Sequence, residues 1–125
     1  MSEFTELERT VLAIICDSQP SIAEPLHSLL SDARISERHN TGHGFYTSFD
    51  VVNSEPPITW PERIMDGPNA EVSVGDEILL MGFILWLEGG YPTCLEGFQY
   101  GTPAGDDIDL KAVDLASIRW IKPMR

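Results

Sequence analysis

Basic residues are scarce in this chain. Eight lysines and arginines stand against twenty acids, giving a net charge of −12 and a pI near 4.4. So acidic a chain repels phosphate backbones, which excludes general DNA or RNA binding. Cysteine is equally sparse. Cys16 and Cys94 are the only two, and neither belongs to a CxxC pair, so a disulfide framework is excluded and a reducing cytoplasm is the expected setting. Long apolar runs are missing too: the longest, residues 78–87, has ten residues and is too short to span a bilayer as a helix. The opening MSEFTELERT has acids where an export signal needs bases. There is no P-loop, dinucleotide fingerprint, nucleophile elbow or HExxH. Nothing calls for a cofactor, and no reaction class is indicated.

What is present is an ordinary globular balance. The 125 residues are 42% hydrophobic and 22% charged, the size of one domain spanning 1–125. A chain of this length buries about two-thirds of its unfolded surface, enough for a core without staples. Phe4, Leu7, Val11, Ile14 and Ile15 recur at helical spacing, with Glu3, Glu6, Glu8 and Arg9 assigned to the other side, so 3–17 is predicted as an amphipathic helix. Ser21-Ile22-Ala23-Glu24 fits a capping box, and Leu26, Leu29 and Leu30 supply the stripe of a short second helix ending near Asp32. The period then changes. Residues 33–38 alternate weakly, and 44–52 are rich in aromatic and β-branched side chains. Four prolines within 53–70 predict a long irregular loop, pinned by Trp60, Ile64 and Met65. Val72 and Val74 begin another strand. Residues 78–87 are apolar on both parities, which predicts a central strand covered on both faces. Glu88-Gly89-Gly90-Tyr91 reads as a hairpin turn returning through 93–100, and Ile118, Trp120 and Ile121 close the chain. The expected fold is α+β: an N-terminal helical hairpin packed on an antiparallel sheet of about five or six strands.

Three groups of residues invite a chemical reading. His39 and His43 lie four apart between Arg38 and Gly44, and in a loop they could converge with Glu37 or Asp50 on a metal. The alternative is a polar turn that happens to contain histidines; no further His/Cys cluster completes a site, so no metal is expected. Glu96 shares its strand parity with Cys94, Phe98 and Tyr100, which turns a carboxylate toward an apolar face. Such a group has a raised pKa, as general acids do. The structural alternatives are a bulge at Gly97 that re-aims it, or a pair with Arg34, Arg38 or Arg119, and the structural role is the expected one. The third group is the acids. Between Arg63 and Lys111 there is no base, while Asp76, Glu77, Glu88, Asp106, Asp107 and Asp109 fall in predicted turns and loops. Solubility alone accounts for an acidic surface; a sharper reading makes these six the binding surface for a basic partner.

Arg38-x-x-Thr41-Gly42-x-Gly44-Phe45-x-Thr47-x-Phe49, then Gly82-Phe83-x-Leu85 and Gly90-x-x-x-x-Leu95-Glu96-Gly97-x-x-Tyr100, resembles a group of small uncharacterised bacterial proteins, some of them immunity-like. The resemblance covers about residues 36–101 and implies a bacterial, cytoplasmic, non-enzymatic binding protein. The expectation is therefore a small acidic protein that neutralises a basic toxin domain of nuclease type. Two rivals stand beside it. One is a small-molecule or housekeeping module holding its ligand between the sheet and the 53–70 loop. The other is a hydrolase-like enzyme using Glu96 and a histidine.

Overall fold

The computed structural model describes residues 4–40, 44–51, 56–74, 77–99 and 118–121. Two helices, α1 (Glu6–Ser18) and α2 (Ala23–Ser31), precede six strands: β1 (Arg34–Asn40), β2 (Gly44–Asp50), β3 (Ile64–Val74), β4 (Glu77–Glu88), β5 (Tyr91–Gln99) and β6 (Ile118–Ile121). The strands form one antiparallel sheet in the order β1-β2-β5-β4-β3-β6. The fold is α+β, as the periodicities predict. Among the described residues no helix is long and apolar enough to cross a membrane.

The first helix begins on a capping box, but not the one expected. Thr5 is its N-cap: the Glu8 N–H donates to Thr5 Oγ1 at 3.2 Å, and the Thr5 N–H donates to Glu8 Oε1 at 2.7 Å. At α2 the N-cap is Ile22, without a side-chain hydrogen bond, so Ser21 and Glu24 do not form the predicted box. Pro25 still falls in the first turn of α2, where its missing N–H leaves no intrahelical bond unmade.

The core lies between the helices and one face of the sheet. Val11 and Ile15 of α1, with Leu26 and Leu29 of α2, meet Met65, Ala70, Met81, Leu85 and Leu95 from β3, β4 and β5. Cross-strand register aligns Met65, Leu85 and Leu95 in one buried row. At one end of this face the rings of Phe45 and Trp120 flank Phe83, with centroids 6.3 and 5.8 Å from it. Gly97 lies between β2 and β4 there, and a Cβ on it would come within 2.5 Å of Phe45 Cε1. The strand passes through Gly97 in regular register with Phe45 and Phe83, so the bulge considered at that position is absent.

Two sequence expectations are corrected by the sheet. Residues 64–70 are not loop: β3 starts at Ile64, and Gly67 and Pro68 occupy a register shift between Asp66 and Asn69. A bulge accommodates a proline that cannot donate to the ladder. The strand β4 is central, but it is not covered on both faces. Met81, Phe83, Leu85 and Leu87 are buried under the helices, whereas Ile78 is 69% and Leu80 is 44% exposed on the opposite face. Its turn to β5 is the expected hairpin, with Gly89 at φ 61° and Gly90 at φ 86°, both in the region that favours glycine. The segment before β3 is fastened to this hairpin by the Ile58 N–H, which donates to the Gly90 carbonyl at 3.0 Å.

Candidate functional site

Because side chains alternate along strands, the face turned away from the helices collects a defined set of residues. Register places His39, Tyr46, Glu96, Ile84 and Asp66 in one row across β1, β2, β5, β4 and β3. A neighbouring row holds Ser48, Cys94, Trp86 and Ile64. Ile78 and Leu80 extend the apolar surface along β4, and Glu71 pairs with Arg119 at 2.8 Å near the β6 edge. This face is thus a band of aromatic and aliphatic side chains with carboxylates set into it.

Glu96 sits at its centre. The Trp86 indole Nε1–H donates to Glu96 Oε1 at 3.0 Å, and Tyr46 makes a side-chain hydrogen bond to the same carboxylate. The Glu96 charge and this bond raise the Tyr46 hydroxyl above its ordinary value. Among the described residues, none of the arginines expected to pair with Glu96 does so. Arg38 turns to the opposite face and pairs with Glu8, and Arg119 pairs with Glu71. Cys94 stands beside this cluster, half-buried, its Sγ 3.8 Å from Ser48 Oγ. Burial pushes its thiol up, the Ser48 bond opposes that, and the Glu96 charge adds to the rise.

The charged group that the sequence reading misassigned is Glu8. Placed on the polar side of α1 by its type, it is 1% exposed. Its carboxylate accepts from Arg38 Nη2 at 2.8 Å, Arg38 Nε at 3.2 Å, the Thr47 hydroxyl and the Thr5 N–H. Burial pushes its pKa up, but the bonds from Arg38, Thr47 and Thr5 and the Arg38 charge outweigh that, and the net shift is down. A signal for this was available: Glu8 falls on the stripe of Phe4, Val11, Leu12 and Ile15, three residues after Thr5. With its acceptor sites filled, Glu8 ties α1 to β1 and β2 and leaves no place for a substrate.

Of the six acids expected to form a binding surface, only Glu77 and Glu88 fall among the described residues. Asp76, Asp106, Asp107 and Asp109 lie outside the described residues, as do His43 and Tyr100. Glu77 opens β4 and Glu88 ends it, so the two stand at opposite ends of a twelve-residue strand. Glu88 is exposed and borders a cleft of about 620 Å³ with Ile58, Trp60, Arg63 and Gly90. His39 is exposed on the edge strand opposite Tyr46, while Asp50 is at the other end of that hairpin opposite Arg34. Asp50 is thus too far along the hairpin to join His39 on one metal, and the convergence of His39 with His43 falls outside the described residues. Among the described residues no three His, Cys, Asp or Glu groups converge. A second cleft of about 540 Å³, mainly apolar, lies between the helices, lined by Phe4, Leu12, Cys16, His27 and Leu30.

Residues of the glycine- and aromatic-rich pattern serve packing in this fold. Arg38 and Thr47 hold Glu8, and Gly97 makes room for the rings of Phe45 and Phe83. Comparison of the chain with protein-family models, with curated proteins and with solved structures finds no match.

Proposed function

We propose that the chain is a small acidic binding protein of the bacterial cytoplasm that neutralises a basic protein, in the manner of an immunity protein acting on a nuclease-type toxin domain. One observation carries the reading. The sheet face opposite the helices presents Tyr46, Trp86, Leu80 and Ile78 around carboxylates, on a chain of net charge −12. Aromatic side chains are the usual energetic centres of protein interfaces. A strongly acidic field steers a basic partner toward such a surface and disfavours a second copy of the same chain. The acids of the base-free stretch, Asp106, Asp107 and Asp109 among them, add to that field by charge alone.

The test is capture from the native host followed by reconstitution with purified components. The expected result is one basic protein that forms a stoichiometric complex and loses its activity when bound. A captured protein that is acidic, or whose activity is untouched by excess of this chain, would refute the reading.

A second reading rests on the cleft bordered by Ile58, Trp60, Arg63 and Glu88, which is large enough for a small molecule between the 56–63 segment and the β4–β5 turn. The hydrolase alternative has less to support it. His39 and Glu96 share a row, but Tyr46 stands between them and their backbones are about 10 Å apart.

A further inference from the structure

We propose that Glu96, Tyr46 and Trp86 form a seat for an arginine side chain of the basic partner. The inference rests on the binding reading above and specifies its anchor.

The hydrogen-bond inventory of Glu96 carries the argument. An ionised carboxylate has about four acceptor sites. Two are taken, by Trp86 Nε1–H at 3.0 Å and by Tyr46. Both donors are neutral, so they orient the carboxylate without cancelling its charge. They also come from strands on either side, Tyr46 from β2 and Trp86 from β4, which fixes the side chain before anything binds. Such preorganisation removes part of the ordering cost of association. Among the described residues no lysine or arginine pairs with Glu96: the ion pairs of Arg38 and Arg119 go to Glu8 and Glu71.

The geometry favours arginine over lysine. A planar guanidinium can offer two parallel N–H donors to the remaining carboxylate sites while stacking against an aromatic ring. Tyr46 is 39% exposed, so its ring is accessible to such a group. An ammonium would find the charge but not the stacking. Asp66, exposed two strands away in the same row, adds negative potential along the approach.

The first experiment needs no partner. The full chain is titrated with N-acetyl-arginine amide and, separately, with the isosteric neutral N-acetyl-citrulline amide. The Trp86 indole N–H resonance is followed by NMR. The expected result is a saturable shift with the arginine compound and none with citrulline. In Glu96→Gln, which can still accept the Trp86 hydrogen bond, apparent affinity should fall at least fivefold. In Tyr46→Ala, which removes the ring and one of the two bonds that orient Glu96, it should also fall, by about threefold or more. No saturable shift, an equal response to citrulline, or an unchanged affinity in Glu96→Gln would each overturn the seat. The contrast between the two ligands on the unaltered chain stands whatever the variants do to folding.

The second experiment uses the reconstituted complex, where Glu96→Gln should weaken binding at least tenfold, chiefly through faster dissociation. A basic partner bound equally well by Glu96→Gln would overturn the seat and leave the proposed function standing. A seat that responds to the arginine compound in a chain that captures no basic protein would overturn the function instead.

Discussion

The Nη2 of Arg38, on the edge strand β1, lies 2.8 Å from the buried Glu8 Oε1, and this pair joins the first helix to the sheet. The carboxylate also accepts from Thr47 on β2 and from the Thr5 N–H at the helix start. A charge so enclosed is tolerable because its acceptor sites are filled; removing one partner strands the others.

Replacing Glu8 with glutamine is therefore expected to cost about 3 kcal/mol, since the amide keeps one acceptor oxygen, turns an NH2 toward donors that the second oxygen accepted from, and removes the charge paired with Arg38, while the volume is conserved. Urea unfolding of the variant against the natural chain measures it. A loss below about 0.5 kcal/mol would mean that the pair is solvated and contributes little.

The same group sets an acid dependence. Its folded pKa lies below the ordinary value of 4.5, so the stabilisation is present above that value and is lost as pH falls through the folded pKa. The stability gap between the natural chain and Glu8→Gln should be widest near neutrality and should close on the acid side of 4.5. Urea midpoints taken from about pH 7 to about pH 3 test the sign. A gap that widened on acidification would show that burial, not hydrogen bonding, governs this carboxylate.

The buried row of Met65, Leu85 and Leu95 marks the centre of the core. Leu85→Ala is expected to lower stability by about 2–5 kcal/mol, through lost transfer energy and the cavity left behind. Gly97→Ala tests the opposite fault. Its Cβ would meet the edges of Phe45 and Phe83, so a loss of about 1–3 kcal/mol is expected from overpacking, read as a lower thermal midpoint. If Gly97→Ala were neutral, the rings would have space to retreat and the fit would be looser than the register implies.

Thiol chemistry offers a readout of burial. Burial, with a smaller contribution from the Asp17 charge, pushes the Cys16 thiol up to about 11, so only about one molecule in a thousand carries the thiolate near pH 8. Iodoacetamide should label native Cys16 very slowly. Cys94, half-buried on the open face and raised by burial despite its Ser48 bond, should label sooner, and both should label readily in urea. Mass spectrometry of time points gives the order. Faster labelling of Cys16 than of Cys94 would place the α1 stripe wrongly.

Much of the architecture was legible because it is encoded locally. Leu7, Val11 and Ile15 keep helical spacing, and Gly89-Gly90 supplies the two positive φ angles of the β4–β5 turn. The start of β3 was hidden because Gly67 and Pro68 look like loop residues, and only pairing with β4 reveals a bulge inside a strand. The exposure of Ile78 and Leu80 was hidden because apolar side chains on both parities read as burial on both faces. The sequence does not show that the helices cover only one of them. Glu96 illustrates the same limit at the candidate site. Its parity was readable, but its partners Tyr46 and Trp86 come from two other strands, 50 and 10 residues away, and are chosen by register. Glu8 was different: helical period and the Thr5 spacing both pointed inward, and residue type alone argued for solvent.

The open face gives the last prediction. Leu80 contributes little to the core at 44% exposure, so Leu80→Lys should leave stability within about 0.5 kcal/mol of the natural chain. It should nevertheless weaken a basic partner. The substitution removes apolar contact from the aromatic band and sets a cation opposite cations, and like charges facing one another across an interface suppress binding. That repulsive part is screened by salt, with a range of about 8 Å near physiological strength, so it should shrink as ionic strength rises while the lost apolar contact remains. Association and dissociation rates for both chains at low and high salt separate the two effects, with circular dichroism confirming the fold. Unchanged rates at both salts would remove Leu80 from the interface and confine binding to other parts of the surface. A large loss of stability would instead place the side chain in the core, against its observed exposure.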